Sequence, residues 1–113
     1  MLFLLAAQLI AAPTPLSSAS SDQDRVTAAE MLAYGQWRNC VLKITHHKSR
    51  TIKDHEAVAD AAITGCAAKE AGYRSSLSAL AQLYKLKDQD GFVMRTAAQA
   101  RNTLRSMALK ELR

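Results

Sequence analysis

Three histidines, His46, His47 and His55, fall close together in the chain. Imidazole nitrogens at such spacing are candidate ligands for zinc, copper or nickel. Three would suffice only if His55, on the first turn of a following helix, points back at the segment carrying the other two. The nearby carboxylates are Asp54 and Glu56, and Lys48, Arg50 and Lys53 stand among the imidazoles and repel a metal ion. A histidine-based metal site is therefore the alternative reading, and solvated loop residues the simpler one. The two cysteines, Cys40 and Cys66, lie too far apart for a Cys-x-x-Cys redox motif, and a zinc site needs about four ligands at short spacing. In an exported chain such a pair forms a disulfide.

Catalytic patterns are missing from the sequence. There is no Gly-x-Ser-x-Gly, and with four glycines, no two of them close together, no loop to cradle a phosphate. Asp54, Glu56 and Asp60 stand at i, i+2 and i+6, so the first two diverge on a helix instead of converging on a substrate. Both suit a helix N-terminus, where negative charge is favoured. No catalysis is expected and no cofactor is implied.

Binding is the better expectation. Lys43, Lys48, Arg50 and Lys53, with the histidines, make a basic tip suited to an anionic envelope component or an acidic envelope protein. Trp37, flanked by Tyr34 and Tyr73, is a second candidate contact, lining a groove or else packing over the disulfide. Nucleic acid is disfavoured, since six aromatics in 113 residues form no stacking platform.

The elements that must position these residues are helices. Leu2 to Ala12 is an eleven-residue, largely apolar run followed by Pro13-Thr14-Pro15. It is too short to span a bilayer but suits the hydrophobic part of a secretory signal, here ending in cleavage after Ala19. No basic residue precedes it, which departs from the usual signal pattern. The expected mature protein, residues 20–113, keeps all fifteen basic and all ten acidic residues, a net charge of +5. It is read as one periplasmic or secreted domain with no transmembrane helix.

Within it, apolar residues recur at helical steps and sustained alternation is absent, so the fold class is all-α. Helix A, about 24–47, carries Val26, Tyr34, Trp37, Val41 and Ile44 on one stripe, with Cys40 at its edge. Gly35 looks like a place for a neighbour to pack closely. Helix B, about 54–85, carries Val58 or Ala59, Ala62 or Ile63, Cys66, Glu70, Tyr73, Leu77, Leu80 and Tyr84. Gly65 and Gly72 interrupt its composition but not its phase, so one long helix is expected. Lys87 to Gly91 is a break, and helix C, about 91–112, carries Val93, Ala97, Ala100, Leu104, Met107 and Ala108 opposite solvated arginines.

The result is a three-helix antiparallel hairpin and bundle with one disulfide. Bonded positions in a hairpin lie equidistant from its turn, and the midpoint of 40 and 66 is Lys53. Turn-forming residues occupy that neighbourhood independently. Closing a loop of this length stabilises by about 3.5 kcal/mol in the chain-entropy model, a large share of a typical total of about 5–15 kcal/mol.

Overall fold

The computed structural model describes residues 14–113, with side chains from Ser21 onward. Most of the expected leader therefore lies outside the described residues. Four helices and no strand occur among the described residues: α1 (Thr14–Lys48), α2 (His55–Gly65), α3 (Ala67–Leu83) and α4 (Gln89–Glu111). None is long and apolar enough to cross a membrane.

Helix α1 begins at Thr14, well before the expected start near residue 24. Pro15 stands in its first turn, where a missing N–H breaks no helical bond, and no glycine or proline follows until Gly35. Nothing between them stops the helix. Its buried stripe is Trp37, Val41 and Thr45, with Tyr34, Cys40 and Ile44 partly covered. Thr45 is the unexpected member: its hydroxyl donates to the Val41 carbonyl at 2.7 Å, which satisfies the polar atom in place.

The expected single helix B is two helices, and the bundle has four helices instead of three. The interruption is one residue, Cys66, with φ −107° and ψ 22°. Its N–H donates to the Ile63 carbonyl at 3.2 Å, a tight i→i+3 bond. Its own carbonyl then accepts from Lys69 and Glu70 at 3.0 Å, which starts α3. Gly65 precedes the break because α1 comes close there: a Cβ at that position would stand 2.9 Å from Ile44 Cδ1. Gly35 has no such neighbour, since a Cβ there would meet only Arg38 at 3.9 Å. The close approach is thus at Gly65, one residue from the disulfide, and not beside Trp37.

Cys40 and Cys66 are bonded, with their Cα atoms 6.0 Å apart. With Tyr34 and Trp37 stacked on Tyr73, this sets α1 antiparallel to the α2–α3 rod. Helix α4 packs back along both. Arg101 reaches Glu70 of α3, and Arg105 reaches Asp60 of α2 at 2.8 Å, so α4 runs antiparallel to that rod and parallel to α1. The core between the rods is Trp37, Val41, Ala59, Ala62, Cys66, Tyr73, Leu77, Ala97, Ala100, Leu104 and Ala108. On α3 it turns toward Ala81, leaving Leu80 half-buried and Tyr84 exposed.

The ends of the later helices are capped by backbone and carboxylate. Asp88 accepts from the Gly91 N–H at 3.0 Å and opens α4. Helix α3 closes in a Schellman motif, with Leu86 N–H to the Ala81 carbonyl at 3.0 Å and Lys85 N–H to the Gln82 carbonyl at 3.1 Å. Lys85 holds φ 52° there, the one positive-φ residue among those described, where a side chain is disfavoured and glycine is not. Lys85→Gly is expected to stabilise the fold by about 0.5–1 kcal/mol, visible as a higher urea midpoint at unchanged slope. A lower midpoint would show that the lysine stem makes contacts worth more than the backbone cost.

Candidate functional site

The α1–α2 connector is built by its own hydrogen bonds. Ser49 N–H donates to the Thr45 carbonyl at 3.0 Å and Ile52 N–H to the Lys48 carbonyl at 2.9 Å. The Ser49 hydroxyl donates to the His46 carbonyl at 2.7 Å. These bonds satisfy carbonyls that the end of α1 would otherwise leave without partners. Asp54 then accepts from the Glu56 N–H at 3.1 Å and caps α2. A short, well-tied connector results, and it carries the basic residues on its outside.

Lys43, Lys48, Arg50 and Lys53 are all exposed, and none makes an ion pair among the described residues. Arg50 Nη2 lies 3.4 Å from His46 Nε2, a long contact between two groups able to carry positive charge. The last turn of α4 comes to the same end: Glu111 and Leu112 share a groove with Ser49, Ile52, Lys53 and His55. The end of α4 thus borders the connector, which the sequence reading did not include. The signal was available, since a third rod long enough to follow the second back to the turn must end beside it.

The histidines do not assemble. His46, His47 and His55 are exposed, and among the described residues no three histidine, cysteine or carboxylate side chains are placed to hold a metal ion. Neighbours on a helix point about 100° apart, which separates His46 from His47. Trp37 does not belong to the surface either. Its indole is fully buried, 5.5 Å from the Tyr73 ring at a 39° tilt, so it is core and not a partner contact. Its Nε1–H has no hydrogen-bond partner among the described residues, an omission that costs about 1–3 kcal/mol. Tyr73 is itself pushed up to about 12, by burial first and then by the Glu30 carboxylate.

Several charges on α3 and α4 are paired within the protein. Glu70, 9% exposed, accepts from Arg101 Nε at 3.0 Å and again from its Nη2, and pairs with Arg74 at 2.8 Å. Arg95 turns back to Asp88, and Arg105 joins Asp60 and Glu56. Of the arginines expected to be solvated on helix C, Arg101 and Arg105 instead attach that helix to the rod beside it, while Arg95 and Arg113 are exposed.

The Arg101 hydrogen bonds hold the Glu70 carboxyl below its usual 4.5, with burial opposing and the charges of Arg101 and Arg74 assisting. Because the folded value lies below the unfolded one, this stability is present near neutral pH and is lost as pH falls below 4.5. Glu70→Gln is expected to cost about 2 kcal/mol near neutral pH. Urea melts near neutral pH and at about pH 3 should show that penalty shrinking in acid. An equal penalty at both would mean the carboxylate charge does not matter. Tyr73, raised above 10.0, contributes in the opposite direction, its share lost as pH climbs toward about 12.

Comparison with known proteins found no matching family model, no matching curated protein and no matching solved structure.

Proposed function

We propose that this chain is a small exported binding module of the cell envelope or periplasm, which acts without catalysis by docking its basic end onto an anionic envelope component. One observation carries the reading. Lys43, Lys48, Arg50 and Lys53 gather at the connector end, are exposed, and make no ion pair among the described residues. Of the nearby carboxylates, Asp54 is committed to capping α2, and Glu111 lies in the groove beside Lys53 without pairing with it.

Uncompensated charge gathered at one end produces a directional field and orients approach to a negative surface. The connector's internal hydrogen bonds keep its backbone in place, so little ordering cost falls on binding. Export is supported by the apolar N-terminal run and by the disulfide, which persists in oxidising compartments.

Each basic residue near an anionic membrane surface is worth about 1 kcal/mol. The protein is expected to sediment with phosphatidylglycerol-rich vesicles and not with phosphatidylcholine vesicles, and to be released by salt. Changing Lys48, Arg50 and Lys53 together to Glu should weaken that binding by about a hundredfold. Equal sedimentation of the triple variant would overturn the reading.

A further inference from the structure

A second groove lies between α1 and α3, lined by Gln36, Asn39, Cys40, Lys43 and Lys69, and shares Lys43 with the basic end. Part of its wall is one half of the disulfide. Cys40 is partly exposed, whereas Cys66 is 1% exposed and packed in the core. Cys40 is thus the half of the bond that borders the groove, an open depression of about 370 Å³. Lys43 and Lys69 are exposed and make no ion pair among the described residues. Gln36 and Asn39 are exposed as well, leaving two amides able to bond a guest.

Thiol–disulfide exchange depends on the thiolate, on which sulfur it can reach and on the leaving group. Access here favours Cys40, and two ammonium groups beside it favour a negatively charged attacker. We propose that this groove is an S-thiolation site: a small anionic thiol binds between Lys43 and Lys69 and its thiolate attacks Cys40 Sγ. The new bond forms between the incoming sulfur and Cys40 Sγ. The Cys40–Cys66 bond breaks, its electron pair departs on Cys66 Sγ, and that sulfur takes a proton from water. The incoming thiol is oxidised to the disulfide level and Cys66 is reduced, so no other oxidant or reductant enters. The product has α1 released from the break between α2 and α3 and marked at a single position.

The test uses the full oxidised chain with two probe thiols, glutathione, which is net negative, and cysteamine, which is net positive, compared at equal thiolate concentration. Aliquots are quenched with acid and N-ethylmaleimide, and tryptic cleavage at Arg38, Lys43, Lys53 and Lys69 puts the two sulfurs on separate peptides. The expected result is a mixed disulfide on Cys40 with N-ethylmaleimide on Cys66, formed about tenfold faster by glutathione than by cysteamine. That preference should reverse in a Lys43→Glu, Lys69→Glu variant and collapse in high salt in the wild-type chain, so the wild-type arm decides even where the variant folds poorly. An adduct on Cys66, equal rates for the two thiols, or no adduct while helical circular dichroism persists would each overturn the proposal.

Discussion

The bond between Cys40 and Cys66 joins α1 to the one-residue break between α2 and α3. Cys66 is the single residue that separates α2 from α3, and Gly65 before it lets Ile44 of α1 come within reach. The glycine keeps the Ile44 side chain of α1 close beside the bond, whose Cα atoms lie 6.0 Å apart. A chain of this size buries a smaller share of its surface than larger domains do, so a cross-link that restricts the unfolded chain carries more weight here than in a larger domain.

The core explains why that help is needed. Much of it is alanine: Ala59, Ala62, Ala97, Ala100 and Ala108 bring the rods close but bury little area each. The bulk comes from Trp37, Tyr73, Leu77 and Leu104. Against such a smooth interface a helix can slide, and the ion pairs of α4 resist sliding because Arg101 and Arg105 find their carboxylates at one register only. Charge in this protein is thus divided by position. On α3 and α4 it sets alignment, and at the connector it is left to face outward.

Much of this was legible in the residues because helical phase is a local property. The stripes through Trp37 and Val41, through Ala62, Cys66, Tyr73 and Leu77, and through Ala97, Ala100 and Leu104 all follow three- and four-residue steps. The disulfide followed from two cysteines in a chain read as exported, and the turn from the midpoint of 40 and 66 together with its turn-forming residues. What stayed hidden was non-local. The break at Cys66 shifts the phase so little that the stripe crosses it unmarked, and only the proximity of Ile44 shows why it exists. The arginines of α4 were placed opposite its apolar face, whereas Arg101 and Arg105 flank that face and reach Glu70 and Asp60 on the next rod, acids a helical wheel does not reveal. Trp37 was read both as core and as contact, since an aromatic stripe looks the same in either role until its neighbours are known.

Trp37 is also the only indole in the chain, and the structure leaves none of its surface to water. Its emission therefore reports a single place, the contact of α1 with α3, against the Tyr73 ring. An indole in that setting should emit in the blue, and any parting of the two rods lets water in and moves the light to longer wavelength. The protein so carries an intrinsic optical gauge of its hairpin, one that registers loosening there and is blind to fraying at either end.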